Sequence, residues 1–251
     1  MTISHPNDNQ AIDDSTPLAD CHRCPYKASH LLSGRCIPGD VCVAAHSGRQ
    51  IDRFFRLNPE CAARYLDDEF WERRAIAVRY APKELLYPLV YDEDEVVRRA
   101  VAYRLPVEQL KELINDTDRE VRITIADRLP QEKLDVMIND EDYLVRNYVA
   151  RRLPAGQLFQ MVNDEDRSVR KTVAERLPEV SLPLMAGDPE TEIRVVVADR
   201  INLDQLPLLF QDDDWLVRFH AAKRAKLQDL ELLKDDDEEE IRLLVAQRLN
   251  P

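Results

Sequence analysis

The sequence predicts an all-α solenoid of 24-residue repeats with a small cysteine-bearing module at its N-terminal end. Arg98, Arg122, Arg146, Arg170, Arg194, Arg218 and Arg242 recur every 24 residues, each directly after Val or Ile and four residues before Ala. Six residues later stands a second series, Arg104, Arg128, Arg152, Arg176, Arg200, Arg224 and Arg248, and six residues earlier an aspartate series running from Asp92 to Asp236. A unit this short cannot bury an apolar face alone, so it must stack on its neighbours. The module is announced by composition: residues 20–58 hold four of the five cysteines and three of the five glycines.

Taken in order, residues 1–19 are mostly polar or proline with little to bury, and predict a flexible lead-in. Residues 20–58 form the cysteine module, and residues 59–251 the array. The array opens at Asp67 with a degenerate unit in which Arg73 or Arg74 stands in for the Val-Arg arginine and Pro82 for the later prolines. Departure from consensus is expected of an end repeat, whose outer face meets something other than an identical neighbour. Six full units run from Asp92 to Asp235, and a half unit from Asp236 to Pro251 follows.

Within a unit the first half reads as an α-helix. Asp118 is placed to cap it, Glu120 suits the dipole of the first turn, and Pro130 stops it after Leu129. Val121, Ile125, Ala126 and Leu129 fall on one helical stripe. Pro130 to Asn139 leaves ten residues for a second element and both connections, too few for a second long helix. Leu134 and Met137, three apart, would eclipse on one side of a 3₁₀ turn, and the pair recurs in every unit from Leu110/Leu113 to Leu230/Leu233. The expectation is α-helix alternating with short 3₁₀ helix, and no sheet. An ordinary leucine-rich repeat is disfavoured because its L-x-x-L-x-L strand signature is missing; HEAT-like repeats share the Asp then Val-Arg pattern but have a period near 40, and remain the structural alternative.

At 100° per residue Arg122 projects between Ala126 and Leu129, in the middle of the apolar stripe. A buried guanidinium requires paired carboxylates or carbonyls. The aspartates of the Asp92 series, and those two residues on such as Asp94 and Asp118, are the expected partners and helix caps. The Arg104 series lies at the edge of the stripe and is expected to be partly exposed. Because identical positions are explained by packing, a partner should read positions that vary, such as Arg119, Tyr143, Arg167, Thr191 and Trp215, with Tyr143 and Trp215 as anchors or as packing residues.

The formal charge is −13, and residues 1–58 carry six acids against six Lys or Arg, so the array holds the whole deficit. An acidic array is a poor phosphate binder, so neither nucleic acid nor a membrane surface is an expected partner. No apolar run approaches the ~20 residues of a membrane span, and the N-terminus lacks the basic start and apolar core of a signal peptide. The expected location is the cytoplasm, where crowded cysteines suggest metal rather than disulfides.

Cys21, Cys24, Cys36 and Cys42 form C-x2-C-x11-C-x5-C, suited to tetrahedral zinc or to a cubane iron–sulfur cluster. The wide second spacing, with Pro38 and Gly39 inside it, leaves room for the larger core, and Gly34 and Gly39 free the backbone to approach sulfur. Six Lys or Arg against two Asp between Cys21 and Arg56 would offset an anionic thiolate centre. His22, His30 and His46 have the chemistry to replace a cysteine, but four cysteines complete a set, so they read as surrounding or surface groups. Cys61 reads as a small buried residue at the start of the array. Iron–sulfur, zinc and free thiols all stay open on spacing alone, in that order.

The cysteine module, the stretches Val41-Cys42-Val43 through Ser47-Gly48-Arg49-Gln50-Ile51 and Phe70-Trp71-Glu72-Arg73-Arg74, and the 24-residue units together resemble the leucine-rich-repeat-variant proteins of nitrogen-fixing bacteria. The resemblance covers nearly the whole chain from Cys21. It implies a right-handed superhelix of alternating α and 3₁₀ helices fused to a small domain holding a 4Fe-4S cluster, with Cys21, Cys24, Cys36 and Cys42 as ligands and zinc as the less favoured occupant. No defined activity comes with the resemblance.

Function therefore divides into two main readings. The first is a non-enzymatic redox or sensing module, an iron–sulfur head on an array that grips another protein, with a protein of nitrogen-fixation metabolism as the candidate partner. The second is a structural scaffold whose metal only caps the array. An enzyme is the weakest reading: there is no nucleophile–base set, phosphate loop or H-E-x-x-H, and His220 is the only histidine of the array.

Overall fold

The computed structural model describes residues 20–250, and the expected lead-in, residues 1–19, lies outside the described residues. Its α-helices are α1 (Gly48–Leu57), α2 (Trp71–Tyr80), α3 (Glu95–Arg104), α4 (Arg119–Arg128), α5 (Tyr143–Arg152), α6 (Arg167–Arg176), α7 (Thr191–Arg200), α8 (Trp215–Arg224) and α9 (Glu239–Leu249). Between them run short 3₁₀ segments, of which Gln131–Met137, Ala155–Met161, Glu179–Met185 and Leu203–Leu209 are seven residues each. In the units before and after, the segment is broken or shorter, as at Val107–Gln109 with Lys111–Leu113 and at Leu230–Leu233. Among the described residues there is no strand, only an isolated antiparallel bridge between Ile37 and Val41. No helix among them is long and apolar enough to cross a membrane.

Local chemistry sets the ends of each helix. Asp94, Asp142, Asp166 and Asp214 occupy N-caps and accept hydrogen bonds from the amides of Val96, Leu144, Ser168 and Leu216, supplying first-turn donors that would otherwise lack partners. Asp118 does the same for Glu120 and Val121. The residue before each repeat proline turns extended, as at Leu105, with φ −67° and ψ 150°, because the proline ring disfavours a helical predecessor. Ile201 adopts the same conformation, φ −56° and ψ 151°, although Asn202 rather than proline follows it. Ile201 is fully buried, so packing maintains there what proline imposes elsewhere.

The chain divides into two compact units, residues 1–125 and 126–251, with the division inside α4. In the first, α1 packs on α2, α2 on α3, and the 3₁₀ segment Pro59–Tyr65 on both α1 and α2. Ile51, Phe54 and Phe55 of α1 are fully buried. In the second, α5 to α9 stack in sequence, and each 3₁₀ segment packs on the α-helix that follows it. The eclipsed pairs Leu134/Met137, Leu158/Met161 and Leu182/Met185 are buried as the spacing predicted. Each fully buried leucine contributes roughly 1.5–3 kcal/mol.

The arginine series runs through this core. Arg74, Arg122, Arg146 and Arg170 are all below 9 % exposed, with Arg74 rather than Arg73 taking the repeat position. Arg74 donates from Nε and Nη2 to both oxygens of Asp92, each at 2.8 Å, and Arg98 repeats this on Asp116 at 2.7 and 2.8 Å. In the second unit Arg170, Arg194 and Arg218 grip Asp188, Asp212 and Asp236 in the same way. Each Nη1 turns back to the carbonyl of the aspartate six residues earlier, as from Arg194 to Asp188 at 2.7 Å. The same aspartate also accepts the amide two residues on, as Asp212 does from Asp214 at 2.9 Å.

The second arginine series is half-buried, as expected from its place at the edge of the stripe. Arg104 donates to the carbonyls of Val78 and Ala81 at 2.6 and 3.0 Å, and Arg224 to that of Ala198 at 2.6 Å. These carbonyls belong to the last turn of the preceding α-helix, where a cation meets unpaired acceptors and the negative end of the dipole.

Candidate metal centre

Three local devices shape the segment that carries the four early cysteines. Tyr26 accepts the amides of both His30 and Leu31, at 2.9 and 3.2 Å, which winds Lys27–Leu31 into a single π-turn. The carbonyl of His30 then accepts the amides of Arg35 and Cys36, folding Cys36 back beside that turn. The reversal passes through Gly34 at φ 73°, a left-handed conformation that glycine adopts without a Cβ penalty. The loop between Cys36 and Cys42 is pinched by paired backbone bonds between Ile37 and Val41, at 2.8 and 2.7 Å, around Gly39 at φ 81°. The amide of Cys42 donates to Gln50 in the first turn of α1.

Cys36 and Cys42 are buried, and Cys21 and Cys24 half-buried. Burial pushes the Cys36 thiol up to about 11, and the charges of Cys42, Cys24 and Cys21 add to that push. Burial also raises Cys42, against the amides of Ala44 and Ala45, which donate to its sulfur, while Cys21 and Cys24 raise it further. The buried thiols of Cys36 and Cys42 resist ionisation, and a cationic core would relieve them. Backbone donors aimed at a cysteine sulfur are a feature that tunes iron–sulfur centres. The donor set therefore fits a thiolate-bound metal group.

The positive surroundings expected from the sequence are partly spent in ion pairs. Arg35 pairs with Glu60, Arg53 with Asp40 and Arg56 with Asp52. Tyr65 lies near Cys24, its phenol raised by burial and by its hydrogen bond with Tyr26. Cys61 is buried, as expected, but it faces His30 Nε2 at 3.6 Å, which the sequence reading did not anticipate. His46 stacks obliquely on Phe70, 5.3 Å between ring centres.

On the array, Arg119, Tyr143, Arg167, Thr191 and Trp215 are the first residues of α4 to α8. Tyr143 is 43 % and Trp215 38 % exposed, and the Trp215 ring lies edge-on to Phe219 of its own helix. A second exposed series went unread: Val136, Leu184, Leu208 and Leu232, each 60–66 % exposed, occupy one repeat position two residues after a buried leucine. Its signal was a further 24-residue column, apolar at Val136, Leu184, Leu208 and Leu232, beside the buried one.

Stacked α/3₁₀ repeats headed by a cysteine module define a helical-repeat protein with a metal-type N-terminal segment. Residues 15–64 match the family described as "LRV protein FeS4 cluster". A solved structure described as a leucine-rich repeat variant with a novel repetitive protein structural motif is 60 % identical, with a TM-score of 0.83, over 93 % of this chain and 100 % of that one. The chain belongs to the leucine-rich-repeat-variant family, with an iron–sulfur-type N-terminal module. An uncharacterized 27.7 kDa protein in the nifB 3′ region of Rhodobacter capsulatus is 37 % identical over 101 residues, 40 % of this chain. The match spans 41 % of that relative's length.

Proposed function

We propose that this is a non-enzymatic redox or sensing protein in which Cys21, Cys24, Cys36 and Cys42 hold a 4Fe-4S cluster and the array grips a protein partner. In this reading residues 20–58 are the cluster module and residues 59–251 the array. The observation that carries it is the burial of Cys36 and Cys42, with the Cys36 thiol pushed up to about 11 by that burial and by the charges of Cys42, Cys24 and Cys21. Bound there, the cluster would supply one-electron chemistry. The chain's own cysteines would bind it, and the burial of Cys36 and Cys42 would limit water there. Zinc is the less favoured occupant, because the family match is to an iron–sulfur segment.

The partner is proposed to be a protein of nitrogen-fixation metabolism, on the strength of the nifB-region relative. The acidic array argues against nucleic acid and anionic membrane, and a cytoplasmic location suits reduced cysteines. A structural scaffold is the second reading, favoured by the packing of α1, which follows the cysteines directly, on α2 of the first repeat. Potentiometric titration separates the two. A reversible midpoint within the physiological range, with partner affinity that changes between oxidised and reduced protein, supports the sensing reading. A redox-silent centre, or zinc-filled protein with unchanged partner affinity, supports the scaffold.

A further inference from the structure

Outside the four-cysteine set, one other cluster of metal donors is assembled in the first unit. His30 Nε2, a Glu60 carboxylate oxygen and Cys61 Sγ all lie within 4.8 Å of one another. They come from two separate pieces of chain, the π-turn Lys27–Leu31 and the 3₁₀ segment Pro59–Tyr65.

We propose that His30, Glu60 and Cys61 form a second metal site, for a single zinc-class divalent ion, with a ligand set distinct from the four cysteines. The 3.6 Å between His30 Nε2 and Cys61 Sγ matches the separation of about 3.5 Å that two ligands have on one tetrahedral zinc, given Zn–N of ~2.0–2.1 Å and Zn–S of ~2.3 Å. One thiolate, one imidazole and one carboxylate form a mixed set of borderline softness, which suits zinc better than magnesium or calcium.

Each donor is also oriented from behind. Ser29 Oγ hydrogen-bonds His30 Nδ1 at 2.7 Å, which leaves Nε2 as the coordinating nitrogen. The Tyr26 phenol, raised chiefly by burial, is raised further by Cys61, which places its hydroxyl beside that sulfur. Arg35 pairs with Glu60 and also donates to the Leu57 carbonyl at 3.2 Å, which anchors the carboxylate to the end of α1. The His30 ring is held between Tyr26, edge-on at 4.7 Å, and Phe54, stacked at 5.9 Å. Glu60 is exposed whereas Cys61 is buried, so the site opens to water on the carboxylate side, where an ion enters and a water completes four-coordination.

The proposal is independent of what fills the four-cysteine module, and the test keeps the two apart. Zinc chloride is added to anaerobically prepared, iron-loaded full-length protein, which is then desalted. Zinc, iron and sulfide are counted per chain, and the zinc-edge X-ray absorption spectrum is recorded. One zinc with a single sulfur neighbour and nitrogen or oxygen neighbours, iron and sulfide unchanged, is the expected result. His30→Gln and Cys61→Ser should each abolish retained zinc without loss of iron. Ser29→Ala should weaken zinc by about 10-fold by freeing the imidazole. Glu60→Gln changes an exposed side chain and tests the site even if His30→Gln fails to fold; at least about 10-fold weaker zinc binding is expected. No retained zinc in the unaltered protein, binding that survives both His30→Gln and Cys61→Ser, or zinc surrounded by four sulfurs as iron is lost would overturn it.

Discussion

Arg146 donates from Nε and Nη2 to the two carboxylate oxygens of Asp164, at 2.8 and 3.0 Å, from one repeat to the next. Its Nη1 meanwhile holds the carbonyl of Asp140 in its own repeat at 2.7 Å. A single guanidinium thus ties the start of one unit to the start of the following one. Arg146 and Asp164 side chains are only 7 % and 6 % exposed, so the pair is a buried one whose rupture strands a charge.

Arg146→Ala should therefore cost about 3–5 kcal/mol, against about 1–3 kcal/mol for Arg152→Ala, which removes a half-buried side chain and abandons a carbonyl, that of Ala126, rather than a charge. Arg146→Lys should recover little, since an ammonium cannot serve two oxygens and a carbonyl in one plane. Denaturant melts of the three variants check this; equal small losses would refute the role given to the pair.

Helix caps differ between repeats, and the difference is testable. Asp166 caps α6 through Ser168 and Val169, whereas Glu190 at the start of α7 makes no such bond. Asp166→Ala should cost roughly 1 kcal/mol, and Glu190→Asp should stabilise by roughly 0.5–1 kcal/mol, both read from thermal and denaturant midpoints.

Acid should dissolve the paired aspartates. Burial pushes the Asp212 carboxyl up, but hydrogen bonds from Arg194 and the Asp214 amide, with the charges of Arg194 and Arg218, hold it below the usual range. Asp236 is lowered chiefly by its hydrogen bond from Arg218. Their folded values lie below the unfolded one of about 3.9, so the unfolded chain takes up protons first. The stability they contribute is complete above about pH 4 and is lost as pH falls through the folded values. Asp212→Asn should lower stability at pH 7 and flatten its decline between about pH 4 and pH 2, as followed by denaturant midpoints against pH.

If the varying edge of the array is the binding surface, Trp215→Ala with Tyr143→Ala should leave the fold and the metal content intact, because both rings are more than a third exposed. Affinity for a partner recovered from nitrogen-fixing cells should fall by about 30-fold or more, the scale of an aromatic anchor. Unchanged affinity, measured calorimetrically with the purified partner, would move the search to the exposed series Leu184, Leu208 and Leu232, or to the cysteine module.

Much of this was legible before any coordinates. The 24-residue period gave the repeats, and helical phase alone placed Arg146 in the core, because 100° per residue makes burial a matter of counting. What counting cannot supply is which copy of a repeated residue meets which. The aspartate served by Arg146 is Asp164, eighteen residues ahead, and the carbonyl served by Arg176 is that of Ala150, twenty-six behind, and only the stacking of one unit on another decides this. His30 and Cys61 lie 31 residues apart and meet because a π-turn redirects the first, a turn for which the sequence carries no periodic signal. Gly34 and Gly39 were readable, since left-handed backbone near a metal loop is what glycine supplies. The exposed leucines were overlooked because they sit two residues from buried ones and share their period.

The central claim is most directly tested by counting iron and acid-labile sulfide in anaerobically prepared protein, alongside Cys36→Ser, Cys42→Ser and Cys61→Ser. The account predicts about four irons and four sulfides per chain in the unaltered protein and in Cys61→Ser, with both lost or sharply reduced in Cys36→Ser and Cys42→Ser. Stoichiometric zinc at the four cysteines, with no sulfide, would contradict it.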